Sequence, residues 1–266
     1  MKTENILATR AHKVIYRDGD TAVKVFDANF PKTDVLNEAL NQARVEETGL
    51  DIPKIHSVNV TEDGKWCIVS DYVEGKTLEQ IMEEDPANLE KYMKEFVALQ
   101  LEVHSKRAPL LNKLKDKWDS KIAASKAINA TTRYELRSRL AGMPKHNKVL
   151  HGDFNPSNII VDAEGRCHIL DWSHATQGNA SADAATTYLL FALKDQKLAD
   201  LYLELFCDMT DTAKQYVQRW LPITVTFIPF APYYFTAMAS ISQATPLGRA
   251  FTATQERAGL EVKNLA

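Results

Sequence analysis

Three oxygen-bearing side chains stand at fixed intervals inside one block of the chain, VLHGDFNPSNIIVDAEGRCHILDW, residues 149–172. Asp153 falls in the loop after the run KVL, Asn158 comes where the next apolar run begins, and Asp171 closes the run after that. NIIVD and RCHIL, with Ala163-Glu164-Gly165 between them, predict a hairpin. A hairpin brings its two ends together, so Asn158 and Asp171 should meet, with Asp153 close by. Hard oxygen donors in such a set suit magnesium, which takes one or two carboxylates and fills its octahedron with water and phosphate oxygens. Asn158 and Asp171 are therefore the candidate metal ligands. Asp153, a little apart, is placed to accept a proton from an attacking hydroxyl.

That division of labour is what phosphoryl transfer asks of a protein, since its loose transition state needs mainly positioning and charge neutralisation. H-x-D-x-x-x-x-N followed by a later Asp is the pattern of a kinase catalytic loop and metal-binding aspartate. Here it reads His151-Gly152-Asp153, Asn158 and Asp171. A polar turn with capping asparagines explains any one of these residues but not the set. His151 is expected to brace the loop backbone.

The same chemistry needs a cation for the phosphates of ATP. In TAVKVF, side-chain alternation puts Ala22 and Lys24 on one face and Val23 and Val25 on the other. The run resembles the V-A-I-K strand of kinases, whose lysine meets the phosphates. Glu38, on the helix that follows, is the expected partner of Lys24. Glu46 is the alternative, because it lies within the apolar stripe of that helix and Glu38 does not. In IVSDYVEG, the backbone carbonyl of Asp71 and the amide of Val73 are candidate adenine contacts, with Ile68 and Ala22 lining the pocket. No G-x-G-x-x-G occurs. ATRAHKVIY stands where such a loop is expected, leaving Arg10, His12 and Lys13 as side chains to cover the phosphates. ATP and Mg2+ are the implied cofactors.

The elements that must position these residues fall into two parts. KVIYRDGDTAVKVF predicts a hairpin turning at Asp18-Gly19, residues 34–48 a helix stopped by Gly49, and DIPKIHSVNV and KWCIVSDYV two strands about TEDGK. After Gly75 the pattern becomes helical. PANLEKYMKEFVALQLEVHSK places Leu89, Met93, Phe96 and Val103 on one face, and a charged helical stretch spans residues 110–141. The expected architecture is α+β: a strand-rich nucleotide-binding lobe over residues 1–73, a crossover, and a mostly helical lobe over residues 74–266. The second lobe would hold the catalytic loop and the acceptor site, with the active site in a cleft between the two.

Bulk properties narrow the partners. The chain has 266 residues and a formal net charge of -3, so no basic excess points to nucleic acid or an anionic membrane. Three scattered cysteines and an N-terminus without an apolar core point to a reduced, cytoplasmic protein. LPITVTFIPFAPYYFTAMASI is apolar, but Pro222, Pro229 and Pro232 interrupt it, so a buried helical segment is expected rather than a membrane span. The oligomeric state is left open.

HGDFNPSNII and ILDW are similar to the H-G-D-x-x-P-x-N and I-D-W/F signatures of the aminoglycoside phosphotransferase and choline kinase superfamily. YVEGKTL resembles its crossover, and EALNQARVEETGLDIPKI its first helix and following strand. The resemblance covers roughly residues 10–192. It implies a protein-kinase-like bilobal fold and transfer from ATP to a small-molecule hydroxyl, such as that of an aminoglycoside, an amino alcohol or a sugar-like acceptor. By it Asp153 is the base, Asn158 and Asp171 bind magnesium, and Lys24 contacts phosphate. Asn155 stands where many relatives carry histidine. Asp183 resembles a family aspartate that opens a helix and is expected to cap it.

Two other functions compete. The missing glycine-rich loop motivates a non-catalytic nucleotide-binding scaffold. A protein kinase is disfavoured by the short stretch after Asp171, which lacks A-P-E. For the acceptor, the features to follow are Asp200, Glu204 and Asp208 at every fourth residue and Trp118 with Asp119. A cation–π box of Trp220, Phe227, Phe230, Tyr233 and Tyr234 is a further one.

Overall fold

The computed structural model describes residues 5–126 and 129–224. In chain order its elements begin with β1 (Ile6–Arg10), β2 (Lys13–Asp18), β3 (Thr21–Phe26), α1 (Lys32–Glu46), β4 (Ile55–Val60) and β5 (Trp66–Asp71). Next come β6 (Lys76–Thr77), α2 (Leu78–Glu84), α3 (Leu89–Ser105), α4 (Leu114–Ala124), α5 (Ala130–Gly142) and β7 (Lys148–Leu150). β8 (Ile159–Val161), β9 (Cys167–Ile169), β10 (Thr176–Gly178), α6 (Ala180–Ala192), α7 (Gln196–Thr210), α8 (Lys214–Gln218) and α9 (Leu221–Thr224) complete the described part. The fold is α+β, as expected. Two compact units divide the chain: residues 1–111 with 151–176, and residues 112–150 with 177–266.

The first unit is built on an antiparallel sheet of order β1-β2-β3-β5-β4. The β2–β3 hairpin pairs Asp18 with Thr21, so its turn is Gly19-Asp20, one residue beyond the expected Asp18-Gly19. Gly19 takes φ +58°, which costs glycine little. α1 packs on this sheet through Val35 and Ala39, which form a buried cluster with Phe26 and Ile68. Burying each of the larger side chains contributes about 1.5–3 kcal/mol. Ile68 therefore belongs to the core beneath α1, which corrects its expected place in an adenine pocket.

Gly75 fixes the crossover. A Cβ there would lie 2.2 Å from the carbonyl oxygen of Val161, so only glycine lets β6 pair with β8 at Lys76 and Val161. Thr77 then opens α2 with a reciprocal cap, its side chain taking the Gln80 amide while the Gln80 side chain takes the Thr77 amide. α3 buries Met93, Phe96 and Val103 as expected, and Val97, Gln100 and His104 widen that face. Leu89, expected on it, is only half-buried. Phe96 packs against Phe154 at 4.7 Å between ring centroids, so this helix supports the loop that follows His151.

In the second unit the stretch expected as one charged helix is two, α4 and α5. Asn129 breaks it, accepting the Thr132 amide as a cap. Arg137 ties α5 back to α4 through a two-pronged contact with Asp119 at 2.7 and 2.9 Å. Trp118 is buried and meets Trp220 edge-on at 6.1 Å. Asp183 does not cap α6, contrary to expectation. Asn179 does, through the Ser181 amide, and Asp183 sits buried in the first turn. Asp200, Glu204 and Asp208 lie on the exposed face of α7, with Gln196 donating to Asp200 and Lys214 near Glu204. Among the described residues no helix is long and apolar enough to cross a membrane. The apolar run from Leu221 passes outside the described residues after Thr224, as do Phe227, Phe230, Tyr233 and Tyr234.

Candidate active site

The site grows from the β8–β9 hairpin in the first unit. Its register pairs Ile159 with Ile169 and Val161 with Cys167, and the Leu170 amide donates to the Asn158 carbonyl at 2.8 Å. Asn158 and Asp171 thus end up at one edge of the hairpin, as their spacing predicts. Asp171 sits in the left-handed region, φ 59° and ψ 66°. For a non-glycine residue that is stored strain of a kind found at functional sites.

Asp153 is held in place by its own loop. Gly152 has φ +82°, and a Cβ on it would come within 2.8 Å of the His174 carbonyl. His151 is fully buried. Its Nδ1 accepts the Asp153 amide at 3.2 Å, so Nε2 carries the proton and donates to the Leu170 carbonyl at 2.8 Å. With Trp172 4.6 Å and Phe154 5.7 Å away between centroids, the imidazole is a brace, as expected. The Asp153 carboxylate accepts from two amides: Asn158 Nδ2 on Oδ2 at 3.0 Å and Asn155 Nδ2 on Oδ1 at 3.1 Å. Burial pushes its pKa above the ordinary value, and the Asp171 charge adds to this. The two amides work the other way.

Two lysines meet two carboxylates beside this loop. Lys24 is hydrogen-bonded to Glu38 and lies 3.8 Å from Asp171 Oδ1. Lys13 lies 3.0 Å from Asp171 Oδ2 and 3.6 Å from Glu38 Oε2. The partner of Lys24 is thus Glu38, not Glu46, whose carboxylate instead accepts the Ile55 amide at 2.9 Å. Glu38 escapes the apolar stripe count because it is buried as a charge, with 6% of its side chain exposed. Burial opposes the Asp171 carboxylate, but Lys24 and Lys13 outweigh it and hold the group well below the usual carboxylate range. Burial likewise opposes the Lys24 ammonium, and Asp171 and Glu38 raise its pKa regardless. α1 reaches the same spot through Asn41, which donates to the Ser173 carbonyl at 3.2 Å.

The expected adenine contacts lie at the far end of the sheet. Ala22, half-buried, alternates with Lys24 and pairs with Ser70. Asp71 ends β5. Its amide donates to Lys54, and its carboxylate accepts from the Lys54 amide and contacts His56. Of its backbone groups only the carbonyl is left for a ligand, and it takes a long 3.4 Å contact from the Ser70 hydroxyl. Val73 follows in the half-buried crossover.

No group of three or more His, Cys, Asp or Glu side chains converges as a metal cage among the described residues. Magnesium does not require one. Asp171 Oδ1 is buried with no hydrogen-bond partner among the described residues, and an orphaned buried oxygen of this kind fits a cation. Asn158 has its amide nitrogen engaged with Asp153, so its oxygen is the atom it can offer. The donor set present therefore suits a hard divalent ion.

Two contacts were not read from the sequence. Asn155 clasps Asp153 and, through its oxygen, receives both the amide and the hydroxyl of Ser157. The N-P-S-N spelling of a capped turn was its only signal. Lys13 reaching Asp171 depends on the β2 register, which no local pattern specifies.

The sequence profile of the phosphotransferase enzyme family APH matches residues 9–216. The chain belongs to that family. One similar solved structure is a thermostable mutant of aminoglycoside phosphotransferase APH(4)-Ia in ternary complex with ADP and hygromycin B. It is 12% identical with TM-score 0.63, over 97% of this chain and 94% of the other. A choline/ethanolamine kinase family protein from Mesorhizobium loti is 14% identical with TM-score 0.57, over 96% and 86%. Choline kinase LicA from Streptococcus pneumoniae is 16% identical with TM-score 0.56, over 96% and 93%. The fold is accordingly the protein-kinase-like α+β fold of these kinases. No curated protein matches at a significant level by sequence.

Proposed function

We propose that the protein is an ATP- and Mg2+-dependent phosphotransferase that moves the γ-phosphate to a hydroxyl of a small molecule, an aminoglycoside, amino alcohol or sugar-like compound. The observation that carries this is the Asp153 carboxylate: half-buried, clasped by Asn155 and Asn158, and raised in pKa by burial and by the charge of Asp171, which two lysines attend. In this reading residues 1–73 are the nucleotide-binding lobe and residues 74–266 the lobe of the catalytic loop and acceptor. Lys24, steadied by Glu38, takes a phosphate. Ala22 lies against adenine, whose edge meets the Asp71 carbonyl and the Val73 amide. Asn158 and Asp171 would hold the metal. Magnesium there would supply positive charge to offset that of the phosphates.

Asp153 takes the proton of the acceptor hydroxyl as that oxygen bonds to the γ-phosphorus and the bond to the β-phosphate oxygen breaks, releasing ADP. A carboxylate pKa raised by burial makes Asp153 a stronger base than an exposed carboxylate, and such proton transfer contributes about 10²–10⁴-fold. Between Asp171 and the start of α6 at Ala180 there is only a short turn and the three-residue β10. So short a link favours a small acceptor over a docked peptide. The three cysteines are unpaired, which fits the reading of a cytoplasmic enzyme.

The test is incubation with Mg-ATP and a panel of amino alcohols, aminoglycosides and sugars, with product read by mass spectrometry. A phosphorylated product that Asp153→Ala abolishes is the expected result. Thermal stabilisation by ATP that ignores magnesium, with no product across the panel, would replace the enzyme with a nucleotide-binding scaffold.

A further inference from the structure

The phosphates of the nucleotide need a cover, and β1 and β2 are the strands placed to give it. They meet in a two-residue turn, Ala11-His12, since Arg10 pairs with Lys13. The first glycine of the chain is Gly19. Among the described residues, the non-glycine positive φ values are those of Asp171 and Asp211 alone. Backbone amides converge on an anion when right-handed and left-handed residues alternate. The β1–β2 turn contains no left-handed residue, so its amides cannot form such a nest, and the cover must come from a side chain.

Lys13 opens β2. The β2–β3 register pairs Ile15 with Lys24 and Lys13 with Phe26. Residues opposite each other project to the same face, and so does a residue two positions along. Lys13 and Lys24 therefore project from one face as diagonal neighbours. Both side chains are mostly enclosed, with 17% exposed. Lys24 already satisfies Glu38 by a direct hydrogen bond. The Lys13 ammonium is aimed instead at Asp171 Oδ2, 3.0 Å away.

We propose that Lys13 and Lys24 form a paired-lysine grip on the terminal phosphates of ATP, Lys13 supplying with one ammonium what a glycine-rich loop supplies with amides. The inference rests on the nucleotide-binding reading above and names a further residue of that site. Both ammonium groups arise from the sheet face that carries Ala22, the residue assigned to adenine. A triphosphate lying along that face passes from Ala22 toward Asp171, between the two cations. Adenosine, which lacks phosphates, gains nothing from Lys13.

The experiment compares equilibrium binding of ATP and adenosine, with Mg2+ present, to the wild type, Lys13→Met and Lys13→Arg. Lys13→Met should weaken ATP about tenfold to a hundredfold, the range of a hydrogen bond to a charged group, and leave adenosine unchanged. It should also make ATP binding less sensitive to added salt. Lys13→Arg should restore most of the loss. A lysine that only neutralises Asp171 and Glu38 would lower the melting temperature without changing the ratio of ATP to adenosine affinity, and that result overturns the proposal. Should Lys13→Met fail to fold, amine-reactive labelling of the wild type decides. ATP should protect Lys13 and adenosine should not, and equal labelling with both overturns the proposal. A wild type that binds neither compound would instead bring down the phosphotransferase reading, and this one with it.

Discussion

The two ends of the β8–β9 hairpin carry the same residue type and treat it in opposite ways. At the turn end, Asp162 accepts from the amides of Glu164 and Arg166, from Arg166 Nε and contacts His168 Nε2, all within 3.0 Å. Every oxygen there has a donor within the hairpin. At the open end, Asp171 adopts a strained backbone, leaves one buried oxygen without a hydrogen bond, and draws two lysines from another sheet. Nearby Asp153 is half-buried with its pKa pushed up. Self-contained polar groups at one end and incompletely satisfied ones at the other separate folding from chemistry over a few residues.

Substitutions should keep those two ends apart. Asp153→Asn should lower turnover by about a thousandfold while the melting temperature holds or rises, because an amide carries no buried charge. Paired kinetics and thermal melts check it, and a large loss of stability would erase the contrast. Glu38→Ala leaves two enclosed ammonium groups with Asp171 alone and should cost about 3–5 kcal/mol by chemical denaturation. Gly152→Ala, forced into a left-handed conformation against the His174 carbonyl, should cost about 1–3 kcal/mol and lower turnover as Asp153 shifts.

The smallest effect belongs to the turn end. Asp162→Asn should lower stability modestly and leave ATP binding unchanged. Hydrogen bonding from His168 leads the causes that hold the Asp162 pKa at about 2 in the folded protein. A depressed carboxylate stabilises the fold above its unfolded value, near 4. The gap in melting temperature between wild type and variant should thus be full above about pH 5 and narrow as the pH falls below 4. A gap that stays constant with pH would show that the Asp162 charge does no work there.

Much of this site was legible in the chain because its key spacings are local. Asp153, Asn158 and Asp171 are joined by one hairpin, whose register follows from alternating apolar residues. Lys24 and Ala22 follow from strand alternation in the same way. Glu38 was legible only as one of two acidic residues, since an amphipathic count assigns charges to solvent and this one is buried against a cation. The contact of Lys13 with Asp171 joins residues 158 positions apart and depends on how the sheet meets the hairpin, which local pattern does not encode. The division of the charged stretch into α4 and α5 hung on one cap, Asn129. Ile68 was misplaced because, although it shares the face of Lys24 and Ala22, α1 covers it there.

One contact has a mechanical consequence. The hydrogen of Gly152 faces the His174 carbonyl at a distance that admits no carbon, and His174 ends the short turn that Asp171 begins. The strip of chain carrying Asp153 and the strip carrying Asp171 are wedged main chain to main chain. Neither can creep without pushing the other, so side-chain changes around them have little leverage on the spacing between the two acids.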